Sequence, residues 1–306
     1  MTGRIWTAAP GGRGQVSSVS AHEANVLRTL HRRTRPFLLH WAAALSLAIC
    51  AGHAADVWHV LKPGLELASF PAGESSPAGD EVVTVLRVDP SLWDMEILCA
   101  SQRKDRQKLT TREWCEQESM VAAINAGMYA RDASTHVGFL AMDGLRCGRA
   151  NRYQSVAAFG PRSGDKPGFR MFDLDSGASI KTIRKDYRYV VQNLRLIRRP
   201  GDNRWSDQTK IWSEAALGED DQGRALLIFC RSPYSMHDFD QILLSLPLGL
   251  VCAQHLDGGP VAQMYVAAGG REVELVGSYE TRMHESDANQ TAWPIPNVIG
   301  VRPKPK

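Results

Sequence analysis

Residues 225–259 read ALLIFCRSPYSMHDFDQILLSLPLGLVCAQHLDGG. Ala225–Cys230 is an unbroken apolar run of strand length. Ser235 then stands where a helix N-cap belongs, with Asp238 three residues on as its capping-box partner. Met236, Phe239, Ile242, Leu243 and Leu246 fall on one helical face, and Pro247 and Gly249 end the helix. Leu250–His255 is a second apolar run, closed by Leu256-Asp257-Gly258-Gly259. Strand, helix and strand in that order predict a parallel βαβ unit with a right-handed crossover. They place the chain in the α/β (mixed α+β) class.

Outward from this stretch the chain is rich in strands. Val82–Val88 and Trp93–Leu98 flank the turn Asp89-Pro90-Ser91, and Leu109–Glu118 reads as a helix capped by Thr110 or Thr111. Val121–Asn125, Phe139–Met142, Val156–Phe159 and Phe169–Phe172 are further strands, and Tyr187–Ile197 is one long extended segment. Pro200–Asp207 is a polar loop. Gln263–Val266 and Glu272–Val276 form a hairpin across Gly269-Gly270. The expected body is a single domain with a mixed, strand-rich sheet flanked by a few helices.

The charge is uneven. The chain has 306 residues, with 36 Lys and Arg against 33 Asp and Glu. Residues 1–54 hold six Arg and one Glu, so the remainder carries 30 basic and 32 acidic side chains, a net of −2. A near-neutral body excludes a basic nucleic-acid-binding surface, which needs concentrated positive charge. Within the leader, Arg32, Arg33 and Arg35 precede an apolar run from Phe37 to Ile49, and Gly52 and Ala54 suit positions −3 and −1 of a cleavage site. This is the order of a secretory signal peptide, shorter than the roughly 20 residues of a bilayer span. The expected division is an N-terminal extension and signal peptide over 1–54 and a mature domain over 55–306. The protein is expected to be periplasmic or secreted, touching a membrane only through the signal segment if it stays uncleaved. Export implies an oxidising compartment. Of five mature cysteines, Cys99, Cys115 and Cys147 can supply one disulfide, and Cys230 and Cys252 sit in apolar strands as buried thiols. No His, Cys or acid cluster has metal-ligand spacing, so neither metal nor cofactor is expected.

Polar residues at strand ends carry the candidate chemistry. Asp257 follows an apolar strand and precedes two glycines, which let a ligand or another backbone come close. Such a carboxylate serves as base, nucleophile or ligand orienter, although Asp-Gly is also a favourable turn. His255 alternates with Asp257 and faces the same side. Asn125-Ala126-Gly127-Met128-Tyr129 repeats the strand–polar–glycine pattern: Asn125 suits a sugar hydroxyl or oxyanion, and Tyr129 a sugar ring, against the alternative of an Asn-capped turn over a core Tyr. Gln192 and Asn193 are amides inside an apolar stretch and need partners, from ligand or backbone. Glu280 and Asp287 flank the polar run 278–290, a site rim or a solvated loop. Arg195 is a phosphate ligand or a surface ion-pair partner.

Taken together, these segments resemble the phosphodiester glycosidase family, in an exported bacterial branch. Leu256-Asp257-Gly258-Gly259-Pro260-Val261-Ala262-Gln263-Met264-Tyr265-Val266 is similar to that family's L-D-G-G-G-S-S-x-x-Y/M-V signature, and Asn125-Ala126-Gly127-Met128-Tyr129 to its N-G-G-F/Y-F element. Ser213–Gly218 lies where the family shows S-x-R-T-A-x-G. The sequence departs from the pattern at Pro260-Val261 and at Glu214, which stands near the family's Arg. The resemblance implies a hydrolase cleaving a sugar-1-phosphodiester or related envelope glycoside. It supports Asn125, Gly127, Asp257, Gly258 and Gly259 as site residues. In the expected mechanism Asp257 stabilises or attacks the anomeric carbon, while Glu280, or a water held by Asn125, handles the proton. The departures leave a second reading, a non-catalytic periplasmic glycan-binding or envelope-assembly protein that keeps the pocket.

Overall fold

The computed structural model of the protein describes residues 57–305. The signal segment expected over 1–54 lies outside them. Among the described residues no helix is long and apolar enough to cross a membrane.

The strands form three sheets in which every pairing of neighbours is antiparallel. The first has eight strands, in the order His59–Lys62, Leu65–Pro71, Val82–Val88, Ala225–Tyr234, Trp212–Asp220, Leu250–Gly258, Arg195–Arg198 and Asp202–Asn203. The second runs Leu145–Arg146, Leu140–Met142, Tyr187–Asn193, Ser155–Pro161 and Phe169–Asp173. The third runs Arg271–Val276, Gln263–Ala268, Ala122–Asn125, Asn297–Pro303 and Trp93–Cys99.

One core joins the inner faces of all three. Leu86, Leu217 and Leu227 from the first sheet meet Phe159 and Val191 from the second, and Ile124, Met264 and Val301 from the third. Each outer face is then covered by a helix. Met236–Ser245 sends Phe239, Ile242 and Leu243 onto Val85, Ala216 and Ile228 of the first sheet. Ile183 of Ile180–Asp186 packs on Val156, Ala158 and Val190 of the second. Trp114 and Cys115 of Thr111–Glu118 pack on Ala123, Tyr265 and Val298 of the third. Alternate residues therefore serve different cores: Leu227 faces the centre, whereas Leu226 and Ile228 face the helix.

Two-sided burial corrects the sequence reading of the fold. Strands buried on both faces read as continuous apolar runs, the pattern usual for parallel sheets. Here they are antiparallel, and the protein is mostly β, with three sheets in place of one mixed sheet. The strands Ala225–Tyr234 and Leu250–Gly258 do run in the same direction across helix Met236–Ser245. They are not neighbours, because Trp212–Asp220 lies between them and pairs antiparallel with both. That central strand has an apolar middle but polar ends in Ser213, Glu214, Glu219 and Asp220, each buried and held by hydrogen bonds. Tyr187–Ile197 is likewise two strands, which leave the second sheet at Asn193 and join the first at Arg195. The hairpin across Gly269-Gly270 forms as expected. So do both caps: Thr110 makes a full capping box with Glu113, and Ser235 accepts from the Asp238 N–H.

The five described cysteines are free thiols. Cys99 and Cys147 are neighbours: the hydrogen bond with Cys99 is the chief cause that brings Cys147 down to about 6, and Cys147 also lies 3.1 Å from the Ser101 hydroxyl. Cys115 stands apart in its helix, pushed up to about 12 by burial.

Asp240, on helix Met236–Ser245, is fully buried with neither carboxyl oxygen hydrogen-bonded. Burial, and then the charge of Glu214, raises it from 3.8 to about 8. In the folded state it stays protonated up to that pH, while in the unfolded chain it ionises above 3.8. Stability is therefore complete below pH 4 and is lost progressively as pH rises to 8. Asp240→Asn keeps the shape and removes the ionisation. It is expected to stabilise the protein by roughly 4 kcal/mol at pH 7 and by nothing at pH 4, as read from denaturant unfolding at the two pH values. An equal effect at both would contradict the assignment.

Candidate active site

The strand Leu250–Gly258 is gripped between Trp212–Asp220 and Arg195–Arg198. A bulge sits near its end, where Asp257 pairs with Ala215 and His255 with Ala216, leaving Leu256 as the extra residue. Leu256 points into the central core. His255 and Asp257 both face a cavity of about 200 Å³, shared with Met128, Leu194, Trp212, Met236, Gly258 and Glu280.

His255 is 4% exposed and its Nδ1 lies 2.5 Å from Oε1 of Glu214. The other Glu214 oxygen accepts from the Trp212 indole N–H at 2.6 Å. Burial alone would lower the His255 ring, but the charge and hydrogen bond of Glu214, helped by Asp257 and Glu280, hold it above its usual value. This is a buried carboxylate–imidazole pair with its second oxygen satisfied, the condition for such a pair to persist.

Asp257 is partly open to the cavity yet hemmed in by protein. Burial is the main cause that lifts its carboxyl from 3.8 to about 7, with Glu280 and Glu214 adding to it. The His255 charge and the Gly258 N–H, which donates to Oδ1 at 2.9 Å, oppose the rise. Glu280 lines the same cavity. Burial raises it too, while His255 and Lys210 pull it back. The segment 277–281 that carries it is tied to the first sheet. The Ser213 hydroxyl accepts from the N–H groups of Ser278 and Tyr279 and donates to the Arg231 carbonyl. Gly259, at φ +66°, sits beneath Glu280, and a Cβ there would stand 2.6 Å from its Oε2. A glycine is required both for the backbone conformation and for the space.

The other expected residues occupy varied places. Tyr129 is half-buried, its hydroxyl pushed up to about 12 by burial and then by Asp257 and Glu280, so it stands beside the pair. The Asn125 amide is turned to the backbone, donating to the Val261 carbonyl at 2.8 Å and accepting from the Gln263 N–H at 2.8 Å. It pins the loop after Gly259 and does not line the cavity. Gly127, at φ +151°, lets Asn193 and His136 close in behind Met128, where a Cβ would collide with both. Asn193 donates to the Ala126 carbonyl at 2.9 Å. Gln192 spends its amide on the backbone of Phe139, Asn151 and Tyr153.

Arg195 is committed to Asp173 and Asp175, outside the cavity. Asp287 pairs with Arg231 and accepts from the Gly79 N–H, anchoring surface loops. The site thus gathers Asp257, Glu280, His255 and Gly258, with Tyr129 and Gly259 adjoining. Asn125, Gly127 and Asn193 lie behind it, and Gln192, Arg195 and Asp287 lie elsewhere.

Glu214, Trp212, Met128, Leu194 and Met236 were not singled out as site residues by pattern. The one available signal for Glu214 was an acid at the start of an otherwise apolar run, Ala215–Leu217. Among the described residues no group of three His, Cys, Asp or Glu side chains is placed to hold a metal ion.

Fold and cavity together define a strand-rich domain with a carboxyl pair and a carboxylate-held histidine at one strand end. Residues 118–302 match the sequence model of the phosphodiester glycosidases, and the chain belongs to that family. It is similar in fold to the catalytic domain of zebrafish N-acetylglucosamine-1-phosphodiester alpha-N-acetylglucosaminidase, solved auto-inhibited by its pro-peptide. The identity is 14%, the match covers 80% of this chain and 86% of that one, and the TM-score is 0.56. A hypothetical protein from Synechocystis matches at 15% identity over 79% of this chain and 63% of that one, with a TM-score of 0.50. At these identities the likeness is one of fold. No curated protein sequence matches the chain.

Proposed function

We propose that the protein hydrolyses a glycosyl phosphodiester at the sugar C1–O bond in the cavity between Asp257 and Glu280. The observation that carries this reading is the pair itself, two carboxyl groups facing one cavity with unequal environments. Asp257 keeps its proton up to about pH 7, whereas Glu280, also raised by burial, is pulled back towards its charged form by His255 and Lys210. Groups whose environments push their proton affinities apart mark the acid and base assignments of a site.

The sequence reading gave Asp257 the charge and Glu280 the proton; burial supports the reverse. Glu280, whose charged form is favoured by His255 and Lys210 against the effect of burial, is assigned to steady the positive charge that builds at the anomeric carbon. Asp257 supplies the proton to the departing phosphate oxygen. Water then adds to C1 and gives up a proton to the Asp257 carboxylate, which restores the acid and leaves a free sugar and a phosphomonoester. A phosphate ester leaves readily as an anion, so the proton from Asp257 assists without being the whole barrier.

His255 lines the same cavity and bears on the charge of both. Held by Glu214, it sets the electrostatic balance of both carboxyls and is a positioning residue. The leader pattern of 1–54 supports placing this activity in the periplasm or outside the cell, on envelope carbohydrate. A glycan-binding role without turnover is less well supported, because it gives no use to a carboxyl held protonated close to neutrality, as Asp257 is. Phosphorus NMR of a sugar-1-phosphodiester incubated with the purified protein tests the reading: a phosphomonoester signal should appear, and an unchanged diester would count against it.

A further inference from the structure

Beyond Trp212 and Met236 the cavity continues into a larger compartment of about 470 Å³, which shares Leu194, Trp212, Met236 and Glu280 with the first. Its character is different. Its aromatic floor is rigid: the Trp205 indole N–H is spent on the Arg195 carbonyl at 2.9 Å, and the Trp212 indole on Glu214. Met236 forms one wall, and Met283, 78% exposed, stands at another. Two cations, Lys210 and Arg282, line the same space, and neither side chain makes an ion pair or hydrogen bond among the described residues. Gln208 also lines it, and its buried amide nitrogen lacks an acceptor. One buried amide donor without an acceptor, from Gln208, and two solvent-facing cations, Lys210 and Arg282, therefore stand beside apolar walls, next to Glu280. Donors without acceptors suit an anion, and the walls suit the hydrocarbon attached to it.

We propose that this annex holds the phosphate and an apolar tail of the leaving group, so that the substrate is the sugar-1-phosphate ester of a long-chain alcohol. This rests on the function proposed above, with the sugar in the smaller cavity and the phosphate at the junction. Lys210 is close enough to Glu280 to bear on its charge, which places an anion bound by Lys210 beside the scissile bond.

Two measurements on the purified full-length protein separate this proposal from the function on which it rests. The first is binding of octyl phosphate, inorganic phosphate and octanol, followed by tryptophan fluorescence and calorimetry. Octyl phosphate is expected to bind at least tenfold more tightly than either fragment. Lys210→Ala should weaken it severalfold, Lys210→Arg should restore it, and the neutral polar Met283→Gln should weaken octyl phosphate while leaving inorganic phosphate unchanged. The second is hydrolysis of methyl and octyl esters of one sugar-1-phosphate, with the octyl ester expected to show at least a tenfold higher kcat/KM through a lower KM. Tail-dependent binding without turnover of either ester would uphold the annex and count against the hydrolase. Equal kcat/KM for both esters, with octyl phosphate binding no better than inorganic phosphate, would overturn the annex and leave the hydrolase.

Discussion

Asp257→Asn is expected to lower kcat/KM for a sugar-1-phosphodiester by a factor on the order of 10²–10⁴, the range for losing a positioned proton donor. The substitution keeps the side chain's size and its acceptor for the Gly258 N–H, so the fold and the bulge should persist. The pH dependence separates this role from that of a nucleophile. With its carboxyl at about 7, Asp257 is protonated below neutrality and charged above it. If it donates the proton, activity of the unmodified protein falls as pH rises through about 7, and that falling limb vanishes in Asp257→Asn. If it attacks as the anion, activity rises through the same range. Full retention of hydrolysis by the variant would remove Asp257 from the mechanism.

Glu214→Ala carries the second large effect, on stability. The residue is 3% exposed, and its two oxygens hold the His255 ring and the Trp212 indole. Truncation strands both donors in the interior and leaves a cavity in the central strand of the first sheet. Removing one partner of a buried ion pair costs about 3–5 kcal/mol, and a loss of that size is expected in denaturant unfolding at pH 7. Glu214→Gln preserves the volume and an acceptor but no charge. It should fold, with the His255 titration moved to lower pH, as seen by NMR of the ring protons. An unmoved His255 in that variant would show that Glu214 does not set its charge.

The same residue shows where the sequence stopped being legible. Glu214 stands near where the resemblance would put an arginine, and it read as a departure that weakened the functional reading. Its partner, His255, lies 41 residues away on a strand whose pairing with Trp212–Asp220 had no local signal. Local features were readable because they are local: the Thr110 and Ser235 caps, the Gly269-Gly270 hairpin, and Asp257 at a strand end before two glycines. The sheet topology was not. An apolar run tells that both faces are buried and leaves open whether the neighbouring strand runs parallel, or which strand slips between. Polar residues were ambiguous for a similar reason. Asn125 and Gln192 satisfy buried backbone, Asp257 and Glu280 face a cavity, and only the three-dimensional partners separate these uses.

In the proposed reaction water attacks the sugar C1 and leaves the P–O bond intact. The direct measurement is hydrolysis of a sugar-1-phosphodiester in ¹⁸O-labelled water, with the products resolved by mass spectrometry. The label is expected in the released sugar, with an unlabelled phosphomonoester. Label in the phosphate, marking attack at phosphorus, would contradict it.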